Sequence, residues 1–224
     1  MKQPPQPTGK FNLYLDIETG PAPNASDYAP HFEAPGNYKD PIKIAAYIEE
    51  AKEKWTERAA LFPESGRVLM VGMAEDDAEP YTVWGDEKKI ITETLDKIRQ
   101  FLSKGARIYG YNIHGFDLPF LIKRAWILGL TVNKSMFNYW RGKWSWNDNI
   151  YDLMLWWKMG EYRKADDAPS SSMAAVLKAL GLPGKEGNGK DFAALLRDDP
   201  EAAQKYLIRD VNATREIAQK VGAA

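Results

Sequence analysis

Cysteine is absent from the 224 residues. That excludes disulfides, thiolate metal sites and a cysteine nucleophile, while leaving the compartment open. A basic excess is also missing: 30 Lys and Arg stand against 31 Asp and Glu, a net charge of −1. A dedicated duplex binder is usually basic. A chain whose site holds metal ions can dispense with that excess, because the ions supply local positive charge. No apolar run approaches the ~20 residues of a membrane helix, so no membrane association is expected. Residues 1–10 contain no apolar signal region and read as a short disordered lead. The expected location is the cytoplasm.

What is present is an ordinary globular composition, 44% hydrophobic and 27% charged, enough to bury one sizeable core. A single domain is expected over residues 11–224. From Phe11 to Glu18 the chain alternates, with Phe11, Leu13, Leu15 and Ile17 on one face and Asn12, Tyr14, Asp16 and Glu18 on the other. That is a strand period. A loop follows over 21–40. Ile44, Ile48, Ala51 and Trp55 then recur at helical spacing, which predicts an inserted helical segment over about 39–62. Strands are predicted over 67–73, 81–84 and 107–111, with a helix over 86–102 between the last two. A helix opens at Pro119 and stops at Gly129. Residues 131–149 read as irregular and aromatic, and 150–153 as a short fifth strand. Helices are predicted from Ser170 to Gly181 and, briefly, after Asp191. The last begins at Asp199-Pro200, an acidic cap followed by proline at the first helical position. Strands cluster early and helices late, as in one mixed α/β layer domain.

The chemistry lies in the acidic residues. Asp16 and Glu18, two apart on a strand, point the same way. Two anions that close repel each other unless a cation lies between them, and oxygen ligands suit Mg²⁺ or Mn²⁺. Taken alone, the pair also describes a strand end dipping into solvent. Asp117 lies where the fourth strand feeds a helix, and is either a plain helix cap or a third carboxylate. Asn112 offers an amide in the same turn, and Phe116 a face for stacking a base. His114 is read as local structure, because a lone histidine is seldom a ligand. Tyr206 and Asp210, four apart on the last helix, share one face at the margin of a stripe containing Leu207, Val211 and Val221.

In order, residue type and context, these three motifs resemble those of the DEDD superfamily of 3′–5′ exonucleases. Asp16-Ile-Glu-Thr is similar to its first motif and Asn112-x-x-x-Phe-Asp117 to its second. Tyr206-x-x-x-Asp210 is similar to the third in its tyrosine form; the histidine form needs His at position 205, where Lys205 stands. The spacing of the second motif most resembles the proofreading exonuclease domain of family B DNA polymerases.

The resemblance implies a ribonuclease-H-like α/β fold, a central mixed sheet flanked by helices. It implies two divalent cations, Mg²⁺ or Mn²⁺, and hydrolytic removal of nucleotides from a 3′ end. Asp16 would bridge both ions. Glu18 and Asp210 would hold the ion that activates water, and Asp117 would act largely through the second ion's water shell. A phenol's ordinary pKa of about 10 makes it a poor base at neutral pH, so Tyr206 would orient the water rather than deprotonate it. Thr19, Asn112 and Phe116 would hold the terminal nucleotides. Lys185, in a Gly-rich loop with Lys190, would meet a phosphate, or else sits in a solvated hairpin of charges.

The expected partner is the 3′ end of single-stranded DNA. RNA is the alternative, because no residue reveals the 2′-OH contact that tells the two apart. A non-catalytic nucleic-acid-binding module is the reading from another class; it would keep the aromatics and lose carboxylates. A monomer is expected, with a polymerase or repair protein as a partner in trans. The run from Tyr139 to Trp146 interleaves aromatics with two cations. It reads as tryptophans covering the core under a long loop, in preference to a base-stacking platform. Asp152 reads as a helix cap outside the metal site.

Overall fold

The computed structural model describes residues 11–140, 143–159, 170–184 and 192–224. In chain order the elements are β1 (Asn12–Pro21), α1 (Pro41–Ala59), β2 (Gly66–Glu75), β3 (Tyr81–Trp84), α2 (Glu87–Ser103), β4 (Arg107–Gly110) and α3 (Asp117–Ile127). There follow β5 (Phe137–Trp140), β6 (Lys143–Trp146), β7 (Ile150–Asp152), α4 (Leu153–Lys158), α5 (Met173–Leu180), α6 (Phe192–Asp198) and α7 (Pro200–Lys220). The main sheet has the order β3-β2-β1-β4-β7, antiparallel from β3 to β1 and parallel from β1 to β7. This is the mixed α/β sheet flanked by helices that the sequence predicts.

The alternation along β1 divides the core in two. Leu13, Leu15 and Ile17 face one way and pack with Ile90, Ile98 and Leu121 of α2 and α3. Tyr14 faces the other way, in a cluster with Val211 and Ile217 of α7. Each fully buried aliphatic side chain contributes roughly 1.5–3 kcal/mol, so a register slip of one residue in β1 would forfeit the whole set. Burying one face of β1 is therefore what fixes the direction of Asp16 and Glu18 on the other.

α1 begins as its sequence dictates, with Asp40 capping the backbone N–H of Ile42 at 2.9 Å and Pro41 at the first position. Its apolar positions Ile44, Ile48 and Trp55 are only half-buried, so the helix does not sheathe a sheet face. It is fastened at its C-terminal end instead. The Thr19 hydroxyl donates to the Ala60 carbonyl at 2.7 Å, and the Ser65 hydroxyl to that of Ala59 at 2.9 Å.

Three local expectations are corrected. Residues 131–149 are not irregular throughout: β5 and β6 pair antiparallel with Phe137 opposite Trp146. α3 begins at Asp117, two residues before Pro119, and the Asp117 carboxylate accepts the Ile17 N–H from β1. α5 begins at Met173 rather than Ser170, with Ser172 accepting from the Ala175 N–H.

Candidate active site

β1 carries Asp16 and Glu18 on the face covered by α7, and its pairing with β2 places Asp16 opposite Gly72. That glycine decides how close α7 comes. A Cβ there would lie 2.7 Å from Val211 Cγ2 and 2.8 Å from Leu207 Cγ, both on α7 and both wholly buried. The helix therefore rests on bare backbone beside Asp16. The consequence is a convergence of carboxylates: oxygens of Asp16, Glu18 and Asp210 all lie within 4.8 Å of one another. A register irregularity follows at once, between Glu18 and Thr19. Bulges of this kind re-aim side chains next to functional sites.

Tyr206 and Asp210 are deeper than the stripe margin expected of them, at 5% and 2% exposure. The close seat on Gly72 accounts for Asp210, and α6 accounts for Tyr206, whose ring centroid is 5.9 Å from that of Phe192.

Asp117 reaches the site from the other side of β1. Its carboxylate is buried at 2% exposure and accepts the Ile17 backbone N–H at 3.1 Å. Burial raises its pKa well above the ordinary value; the nearby Asp16 carboxylate raises it further, against the two backbone N–H groups that lower it. It is not one of the three converging groups, but it is close enough to Asp16 for their charges to interact.

The turn that delivers Asp117 is tightly built. Asn112 has φ of +61°, the left-handed region that Asn tolerates better than most residues. Its carbonyl accepts the N–H groups of Gly115 and Phe116. A Cβ at Gly115 would lie 2.5 Å from the Asn112 side-chain oxygen, so the amide folds over a glycine that leaves it room. His114 is local structure, as expected: its Nε2 lies 3.1 Å from the Ile150 carbonyl oxygen and its ring stacks on Trp146. Burial pushes its pKa down.

A cleft of about 900 Å³ opens beside Glu18. Thr19 and Phe116 also line it, with Lys52 and Arg58 from α1 and Arg197 from α6. Glu49, Glu53 and Glu57 share the α1 wall, so its charge is mixed. Three of the residues picked out by sequence, Glu18, Thr19 and Phe116, line the cleft, whereas Asp16 and Asp210 do not. Asn112 does not line it. Lys185 and Lys190 lie outside the described residues.

Sequence reasoning missed Gly72, whose only signal is a glycine inside an apolar strand, and the α1 wall. It also misjudged the tryptophans. Trp146 does pack against the core, but Trp144 is 53% exposed and lies on the outer side, against the Trp146 ring at 4.6 Å. Both line an apolar groove with Trp126 of α3.

A family model described as DNA polymerase family B, exonuclease domain, matches residues 13–149. A DNA polymerase of Archaeoglobus fulgidus is 32% identical over 78 residues, 34% of this chain and 10% of the polymerase. The family B DNA polymerase of the hyperthermophilic archaeon Pyrobaculum calidifontis superposes with a TM-score of 0.60 at 19% identity, over 98% of this chain and 25% of that one. The chain therefore spans a tenth of the first polymerase and a quarter of the second. With more than half of its length matched by the family model, the chain belongs to the exonuclease domain family of the family B DNA polymerases.

Proposed function

We propose that this protein is a 3′–5′ exonuclease that hydrolyses the terminal phosphodiester of single-stranded DNA. The observation that carries the reading is the convergence of Asp16, Glu18 and Asp210 within 4.8 Å in a chain of this family. Three carboxylates at that spacing repel one another unless a cation joins them. Their hard oxygen donors fit Mg²⁺ or Mn²⁺. Asp16, Glu18 and Asp210 would hold a divalent ion, and Asp117, near enough to Asp16 for their charges to interact, would help to hold a second. Such ions, when bound, acidify a water molecule and offset charge on the phosphate.

The chain's own groups supply the positioning. Tyr206, one turn before Asp210 on α7, orients the attacking water. The water oxygen bonds to phosphorus and the bond to the 3′ oxygen breaks. A nucleoside 5′-monophosphate leaves, and the shortened strand keeps a 3′-hydroxyl. Phe116, half-buried at the cleft, offers a ring face to a terminal base, a contact worth roughly 1–3 kcal/mol with little sequence preference. The Thr19 hydroxyl already donates to Ala60, so it meets a nucleotide as an acceptor. Lys52, Arg58 and Arg197 are the cations placed to follow the backbone along the cleft. Asn112, although outside the lining of the cleft, would reach the terminal nucleotide through its side-chain amide, and Lys185 would meet a phosphate.

The test is one assay with 5′-labelled single-stranded DNA, duplex DNA and RNA, each with Mg²⁺, Mn²⁺ or chelator. A ladder shortening from the 3′ end of the single-stranded DNA, lost with chelator, is expected. Asp16→Ala and Asp210→Ala should each abolish the ladder with the fold intact by circular dichroism. Undiminished cleavage by either variant defeats the assignment, and a ladder from RNA alone replaces DNA as the substrate.

A further inference from the structure

Asp152 is buried at 5% exposure, at the end of β7, with no place in the carboxylate cluster. A carboxylate taken out of water needs compensation. Here it comes from four backbone N–H groups. Two belong to the first turn of α4: Met154 at 2.9 Å and Leu155 at 3.3 Å, both to Oδ1. These make Asp152 the helix cap that its position predicts. The other two belong to a different part of the chain. Asn112 donates to Oδ1 at 3.1 Å and His114 to Oδ2 at 3.0 Å.

Those two donors stand inside the turn that ends at Asp117, where Asn112 is held at positive φ. A left-handed non-glycine residue costs free energy and persists only where its surroundings over-determine it. Two neighbouring strands supply those surroundings. β4 and β7 run parallel, with Gly110 paired to Asp152, so the β7 carboxylate lies at the point where the chain leaves β4. The Ile150 carbonyl holds the His114 ring from the same strand. Beyond the turn, Asp117 receives the Ile17 N–H from β1, one residue from Asp16.

We infer that Asp152 is a positioning residue for the site: by gripping the Asn112 and His114 amides it fixes the turn that places Asp117 beside Asp16. The inference rests on the exonuclease reading for its effect on rate, but the grip itself can be measured without catalysis. Outer partners that orient metal-binding groups typically change metal affinity or activity 10–100-fold when removed.

Asp152→Asn keeps the volume and one oxygen, but turns an N–H donor towards one of the four donors. Asp152→Ala removes the acceptor altogether. Three measurements decide. Hydrogen exchange on the wild-type protein should find the Asn112 and His114 amides as protected as the β4 core; fast exchange there overturns the grip without any variant. Calorimetry with Mn²⁺ alone should show affinity weakened about 10–100-fold in Asp152→Asn, and at least as much in Asp152→Ala. Leu155→Gly, which disturbs α4 at an exposed side chain, should leave Mn²⁺ affinity and kcat at the wild-type level.

If Leu155→Gly reproduces the Asp152 defect, the residue acts only through α4 and the inference fails. If the wild-type protein releases no 3′ nucleotide, the exonuclease reading fails instead, while amide exchange and Mn²⁺ binding still settle the grip. With the wild type active, wild-type kcat and Mn²⁺ affinity in both Asp152 variants overturn it.

Discussion

Among the individual residues of the site, the same functional group is placed in different surroundings. Asp16, Glu18 and Asp210 converge with their oxygens on one point, whereas Asp117 is sealed behind β1 with an oxygen committed to a backbone N–H. Only the first three lie within 4.8 Å of one another, so an indirect part is proposed for Asp117. Tyr206 differs in kind: it shares α7 with Asp210 one turn away and is wedged against Phe192. A hydroxyl on a buried ring is suited to holding a water in one place. Tyr206→Phe should therefore lower kcat by about 10–100-fold while single-strand affinity, measured with chelator present, changes less than about twofold. Equal losses in both would make Tyr206 a binding residue, and an unchanged kcat would remove it from the chemistry. These side chains were legible in the sequence because their type and spacing carry their chemistry. Asp152 was legible only as a helix cap. Its further partners, Asn112 and His114, are 40 and 38 residues away, and no local pattern encodes them.

At the scale of the elements, β1 and α7 were readable from periodicity and capping, and their contact was not. The alternation of β1 says which face is polar. The pair Asp199-Pro200 says where α7 begins, and Asp199 does accept the Ala202 N–H at 3.0 Å. Nothing local says that α7 crosses β2 at Gly72, since a strand glycine also reads as a simple weak point. The β5–β6 hairpin was missed for a related reason. Its aromatics suit strands, but Arg141-Gly142 between them in the sequence is not one of the Asn-Gly or Asp-Gly pairs that mark a two-residue hairpin.

The crossing at Gly72 makes a prediction of its own. A methyl group there would meet Leu207 and Val211 well inside contact distance, and neither can move aside because both are fully buried. Gly72→Ala should cost about 1–3 kcal/mol, the usual range for overpacking. It should also push α7, and Asp210 with it, away from Asp16. Displacements of that order can cost about 100-fold in rate, far more than the stability loss alone would bring at a temperature where the variant stays folded. Melting temperature and kcat measured on the same preparation separate the two effects. A variant with wild-type values for both would show that α7 finds its seat without the glycine.

For the molecule as a whole, the site is a concentration of negative charge that the fold tolerates rather than favours. Asp117 expresses this most clearly. Burial and the neighbouring Asp16 raise its pKa in the folded chain above the ordinary 3.8. The metal-free folded state thus keeps a proton that the unfolded chain has already given up. That proton's contribution to stability is complete below the unfolded value, and is lost as pH rises through the folded one. Metal-free protein should become less stable over that interval. A divalent cation reverses the preference by favouring the ionised carboxylates, and it binds the folded state alone. At 100 times its dissociation constant a ligand of this kind adds about 2.7 kcal/mol, or roughly 5–10 °C in melting temperature for a chain of this size. Mn²⁺ should therefore raise the melting temperature more at pH 8 than at pH 5, because the Asp117 carboxyl keeps more of its proton at the lower pH. In Asp16→Ala the rise at pH 8 should shrink to a small fraction. Equal stabilisation at the two pH values would mean that the ion binds away from these carboxylates. A full rise in Asp16→Ala would exclude Asp16 as a ligand.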